Sequence, residues 1–348
     1  MRSLRLLYSR LLYSGLTAVF AVVQWLAFAT AAPLDDLIAA ARKEGTLNFY
    51  GPSTLKADGA QAIAQAFNKK YATNINIKFI PSGSMTRDVG KVVTQAVTGG
   101  APEWDVMVAT DAHHASLWLR KLHKPFDYKA LGVAENLIDH DGGSISFVHQ
   151  YIVPAYNSSM VSAKDAPRSW EDLLQPKWKG KVGVTTATHH LGRLAVGPWG
   201  EEKTTAYVKA LAQQDPIVGE LGPTYTRLQL GEILVALSLT DSYIHTAKQT
   251  GAPVAEAIEV QPVIAPSYHV GVLKGAQHPN AAHLFAVFMT MPEAQQVWER
   301  AVGVSSALIP GTAYYQKAKG KQLIFMSKDQ SEKVESLAKR YGTIIGIR

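Results

Sequence analysis

The chain has 348 residues, 47% of them hydrophobic, a formal charge of +7 and no cysteine. The missing thiols exclude disulfides, thiolate catalysis and cysteine-ligated metal; with no lipobox, the mature protein is expected to be free rather than lipid-anchored. The basic excess is mild and does not point to a nucleic acid partner.

Arg2, Arg5 and Arg10 make a positive start, Gly15 to Phe28 is a mostly apolar run, and Ala29-Thr30-Ala31 is the small-x-small pattern that signal peptidase reads. The run is shorter than the about 20 apolar residues of a membrane span. This favours a cleaved signal peptide over residues 1–31 and export to the periplasm, a retained anchor being the other reading. Cleavage would remove three arginines and lower the formal charge from +7 to +4. The 317 residues left are enough for a conventional core and suit two lobes better than one.

Beyond that segment, short strands alternate with helices, the pattern of an α/β sheet with parallel strands. The periodicity predicts a helix over Leu34–Glu44, a strand over Thr46–Tyr50, a helix over Ala60–Tyr71, a strand over Ile75–Ile80 and a helix over Met85–Thr98. A buried strand over Asp105–Ala109 and a helix over Ala112–Leu122 follow, then a strand over Ser146–Tyr156. In Ser169–Gly183, SWEDLLQPKWKGKVG, Ser169 is a helix N-cap with Glu171 and Asp172 in the first turn, and Gln175-Pro176 stops the helix before the strand Val182–Val184. A helix from His189, a helix closed by Gly231-Glu232, a strand over Ile233–Leu239 and a helix over 244–250 complete this part. Ser267–Leu273 reads as a strand, followed by helices over Ala281–Met289 and from Pro292.

The strands end in small polar loops that run straight into helices. Ligands of open α/β sheets sit at the carboxyl ends of the strands, where helix N-termini offer free N–H groups to anions. The loops Gly51–Thr54, Ser82-Gly83-Ser84 and Thr110-Asp111, and later Thr185–Thr188 and Thr240–Tyr243, therefore point to a binding crevice. Taken one at a time, each loop reads equally well as a set of helix caps.

Three segments carry a family resemblance. SWEDLLQPKWKGK resembles the SWEDLLDPKWKGKI of bacterial extracytoplasmic solute-binding proteins, YNSSMV at Tyr156–Val161 their AYNTKLV, and KGAQHPNAAHLFAVFMTMPEAQQVW at Lys274–Trp298 their VALLKGAPHPNAAKLFIDFLLSPEGQ. In this order they resemble the iron(III)-type branch of the type II periplasmic binding proteins that serve ABC transporters. The resemblance implies a two-lobed α/β fold with mixed sheets flanked by helices and two crossover hinge strands, Phe147–Tyr156 and Val260–Val270. Lobe one would be 33–147 plus 262–312, and lobe two 148–261 with C-terminal helices over 313–348. It also implies hinge closure around a small ligand, delivery to the transmembrane subunits of an ABC permease, a monomer, and no cofactor.

Relatives that bind ferric iron carry two adjacent tyrosines where this chain has Ser242 and Tyr243, and often a histidine where it has Ser53 and Thr54. Direct iron binding is therefore the alternative, and a small carboxylate or phosphonate the preferred ligand. Its oxygens would be held by Ser53, Thr54, Ser82, Gly83, Ser84, Thr185, Thr186 and Thr188, with Arg227 as a bidentate partner, Tyr243 as a hydroxyl or stacking face, and Asp111 for an ammonium or as a cap. No metal set is assigned; Tyr243 and His189 would be the first ligands if a metal were held. A secreted hydrolase is the weakest reading, because G-x-S-x-G, H-E-x-x-H and P-loop patterns are all missing from the chain.

Overall fold

A computed structural model describes residues 33–347, so the expected signal peptide over 1–31 lies outside the described residues. In chain order, helix α1 (33–44) leads into β1 (Thr46–Pro52), α2 (Lys56–Tyr71), β2 (Asn76–Ser82), α3 (Met85–Val97), β3 (Val106–Thr110) and α4 (Asp111–Leu119). Short β4 (Ile138–Asp139) and β5 (Ser144–His149) precede β6 (Ala155–Asn157), β7 (Val182–Thr185), α5 (His189–Val196), α6 (Gly200–Ala212), β8 (Ile217–Gly219) and α7 (Leu221–Leu230). Then come β9 (Val235–Ala236), α8 (Asp241–Thr250), β10 (Val254–Glu256), β11 (Val263–Ile264), β12 (Ser267–Val272), α9 (Pro279–Phe288) and α10 (Pro292–Val302). The chain closes with α11 (Ala313–Ala318), β13 (Leu323–Ile324) and α12 (Ser331–Ile345).

These elements build two mixed sheets, in the orders β2-β1-β3-β12-β5-β4 and β10-β6-β9-β7-β8. In the first, β1 runs parallel to β2 and β3, while β12 lies antiparallel between β3 and β5. In the second, β7 is parallel to β8 and β9, and β6 is antiparallel to its neighbours. The central strands β3, β5 and β12 are buried along nearly their whole length, as expected of strands covered on both faces. Helix α2 buries Ile63, Phe67 and Tyr71 at four-residue spacing, and Phe67 meets Phe285 and Phe288 of α9 at 5.7 and 5.5 Å. Buried Asp105 accepts backbone hydrogens from Asn48, Gln277 and His278 at 2.8–2.9 Å, which fixes the turn before α9 against β1 and β3. Glu44 accepts from Asn280 and Ala281 at the start of α9, where a carboxylate suits the helix dipole.

The predicted strand Ser146–Tyr156 is in fact two strands in different sheets. The chain leaves the first sheet after His149 and enters the second at Ala155; Pro154, which has no N–H to donate, stands at the break. On the way, Ile152 pairs with Ile264 of the returning segment, and β13 lies parallel to that segment on its other edge. The SWEDLL stretch is a single 3-10 turn (Glu171–Leu174) rather than an α-helix, because Pro176 leaves no room for a second turn. The capping logic is retained: Ser169 Oγ accepts from Asp172 N at 3.1 Å, and the Asp172 carboxylate accepts from Arg168 and Ser169 N–H groups. Fully buried Trp170 donates its indole N–H to Pro262 O at 2.9 Å, tying this turn to the returning crossover.

Trp170→Ala should remove both the packing and that bond, and should cost about 3–5 kcal/mol of stability in urea unfolding. A loss under about 1 kcal/mol would show that the crossover does not depend on this anchor.

Candidate functional site

The loops at the carboxyl ends of the strands come together through one contact. Asp111 opens α4 at the end of β3, and Arg193 lies in α5, which follows β7. Their side chains form a two-pronged ion pair, Nη1 to Oδ2 at 2.7 Å and Nη2 to Oδ1 at 2.6 Å, with both residues buried. The strand ends of the two sheets are thereby joined. Burial alone would raise the Asp111 carboxyl, but the Arg193 charge and hydrogen bonds outweigh it and hold the carboxyl below its ordinary value. Two further polar groups stand at this contact. His113 bridges Thr110 Oγ1 at 2.7 Å and Thr86 Oγ1 at 3.2 Å, and His189 opens α5 one turn before Arg193. Burial pushes His113 down to about 4 and His189 down to about 3, so both are neutral at pH 7. Arg193 uses two of its N–H groups on Asp111, and its Nε has no partner.

The residues expected at the site divide into three sets. Ser53, Thr54, Gly83 and Ser84 are exposed on the rim of the first sheet, Ser84 capping α3 through a 3.5 Å bond from Arg87 N. Buried hydroxyls are spent within the protein: Ser82 Oγ accepts from Tyr50 at 2.6 Å, Thr185 pairs with Ser238 at 3.1 Å, and Thr188 Oγ1 donates to Ala338 O of α12. Thr186, half-buried, donates to Glu220 at 3.0 Å. Arg227 and Tyr243 stand on the rim of the second sheet around the Gly219–Gly222 turn. Arg227 is held loosely, by Glu232 at 3.7 Å and Val218 O at 3.5 Å. Tyr243 is half-buried with its ring 4.9 Å from that of Tyr225, and its hydroxyl borders Gly222.

Arg193 is the residue the sequence reading missed. Its signal was a lone charge among Leu191, Leu194 and Ala195, all buried on the same short helix. Asp241, in the Thr240–Tyr243 loop at the start of α8, takes the Tyr151 N–H and lies 3.7 Å from Lys317 of α11. Burial raises its carboxyl, an effect that Lys317 offsets and Glu256 reinforces.

Two mixed α/β sheets, crossed twice by the chain, make the type II periplasmic-binding-protein fold. Residues 62–322 match the family of bacterial extracellular solute-binding proteins, and the chain belongs to that family. Its fold is similar to that of iron-bound HitA from Pseudomonas aeruginosa, with a TM-score of 0.68 at 19% identity over 85% of this chain and 99% of that one. It is equally similar to the periplasmic binding protein AfuA from Actinobacillus pleuropneumoniae, solved with fructose-6-phosphate, with a TM-score of 0.70 at 19% identity over 87% and 99% of the two chains. In sequence, 151 residues are 28% identical to an uncharacterized protein of Haemophilus influenzae, a match spanning 40% of this chain and 42% of that protein.

Breaking the central ion pair from one side leaves a buried charge. Arg193→Met should therefore cost about 3–5 kcal/mol, whereas Asp111→Leu combined with Arg193→Met should cost far less than the two single changes together. Additive losses in a double-mutant cycle would show that the charges do not depend on each other.

Acid should destabilise the protein through its buried imidazoles. His149 is held down to about 4, and His283, against the Phe126 ring and Tyr128 hydroxyl, down to about 3, by burial. Because the folded values lie below the unfolded one, the unfolded chain takes up more protons, and stability present above about pH 6.5 is lost as the pH falls toward 4, by up to about 1.4 kcal/mol per pH unit for each such group. His283→Gln should flatten the slope of unfolding free energy against pH by about one proton between pH 6 and 4.5. An unchanged slope would sink the assignment.

Proposed function

We propose that the chain captures a small anionic solute, one bearing a carboxylate or phosphonate, between its two sheets outside the cytoplasm. It would then pass the solute to the transmembrane subunits of an ABC permease. On this reading it acts in the periplasm as a monomer after loss of residues 1–31, and performs no chemistry on its ligand. The observation that carries the reading is the Asp111–Arg193 pair. It joins polar strand ends from both sheets in a water-poor contact, and the buried Nε–H of its guanidinium is left without a partner. Arg227, only loosely held, and Tyr243 extend the same chemistry along the second rim. Domain closure of this kind follows from tighter binding to the closed form, and a permease can sense it.

A ferric-ion reading has one observation in its favour, the two phenols of Tyr225 and Tyr243 lying side by side. Burial pushes both phenols up, away from the phenolate form that a hard ferric ion prefers. The anion reading is therefore the stronger one.

The test is calorimetric titration against a panel of carboxylates, phosphonates, sugar phosphates and ferric citrate. A phosphonate or carboxylate should bind at one per chain without turnover, and Arg227→Ala and Tyr243→Phe should each weaken it about tenfold or more while leaving the melting temperature of the empty protein nearly intact. Unchanged affinity in both variants removes these residues from the site. Saturable binding of ferric ion but of no organic anion replaces the reading with the ferric one.

A further inference from the structure

Away from the two rims, four imidazoles are packed together inside the first sheet. His114 lies on α4, His123 follows that helix, His140 follows β4, and His269 lies on β12; all four are buried. Ring centroids are 5.2 Å apart for His114–His123, 5.3 Å for His140–His269, 5.7 Å for His123–His140 and 5.9 Å for His114–His269. Within this group the Asp139 carboxylate and one nitrogen each of His140 and His269 lie within 4.8 Å of one another, and no other three such groups converge as closely among the described residues.

We propose that Asp139, His140 and His269 form a site for a divalent transition metal of the zinc or nickel class, separate from the solute crevice. Two imidazoles and a carboxylate are a donor set suited to these ions. The surroundings already hold the rings as metal ligands require. Ser267 Oγ meets His269 Nε2 at 2.8 Å, and accepting the proton there leaves the Nδ1 lone pair to accept from Ser144 Oγ or, in its place, to bind an ion. That Nδ1 and His140 Nδ1 converge on one hydroxyl, Ser144 Oγ, at 3.0 and 2.7 Å, so both rings are aimed at the same point.

Packing alone does not account for the cluster. His114 Nδ1 and His123 Nε2 share one hydrogen bond of 2.9 Å, and the other nitrogen of each ring is buried without a partner. Whichever ring carries the shared proton, one N–H remains unpaired, at a cost of about 1–3 kcal/mol that apolar rings would not incur. The site also has an entrance. Asp139 and His140 line an open cavity of about 370 Å³, bordered by Phe126, Asp141 and Lys328, through which a hydrated ion reaches the carboxylate first.

The test uses the protein purified without an affinity tag, stripped with chelator and titrated calorimetrically with zinc chloride and nickel chloride. One ion per chain should bind. Asp139→Asn, at a half-exposed position that should tolerate the change, and His269→Gln should each weaken binding at least about tenfold. His189→Gln and Tyr243→Phe should leave the ion affinity unchanged. Nickel should also quench tryptophan emission in the parent protein, because the Trp118 ring lies 6.2 Å from that of His140. Absence of saturable binding overturns the proposal. So does binding that survives both site variants, or that is lost in His189→Gln or Tyr243→Phe instead, which would put the ion in the crevice.

Discussion

Neither Asp111 nor Arg193 can be buried alone. A carboxylate or guanidinium taken out of water without a partner costs several kcal/mol, so the two residues must be buried together or not at all. One belongs to the strand ends of the first sheet and the other to a helix that follows a strand of the second, so the pair ties the two sheets together at this point. It also shapes the surroundings. His113 and His189, which stand beside the pair, are held neutral by burial and add no third charge to it.

Much of this architecture was legible in the residues. Short apolar runs ending in Gly, Ser or Thr marked β1, β2, β3 and β7, and the helix starts behind them were marked by caps such as Ser84. What could not be read was what depends on topology. The run from Ser146 to Tyr156 looks like one continuous strand, because nothing in an apolar pattern says that its halves pair in different sheets. Only Pro154 hinted at the break. Likewise, His269 lies far along the chain from His114, His123 and His140. They meet because β12 inserts between β3 and β5, a strand order that no local pattern encodes. Arg193 was readable in principle, as a charge on an otherwise apolar turn; the neighbouring threonines, being the usual anion donors, drew attention from it. Thr185 and Thr188 turned out to hold the second sheet and the tail together.

The tail itself links the parts. Lys328 pairs with Asp141 and lies over the Trp118 ring at 4.7 Å, on the first body, while α12 packs along α5 and α6 on the second. Between them β13 runs beside the returning crossover, and Phe325 covers His149 with ring centroids 5.2 Å apart. On the proposed reading, opening the crevice would also have to bend or slide this segment, a constraint that two bare crossover strands would not impose.

The placement of the first and last helices has a practical corollary. Helix α1 is anchored to the first body through Arg42, whose guanidinium reaches Tyr71 O at 3.0 Å, and through Glu44 at α9. Helix α12 rides on the second. On the proposed reading, fluorophores attached to α1 and α12 would ride on different jaws, and energy transfer between them would gauge the gape without any label entering the mouth.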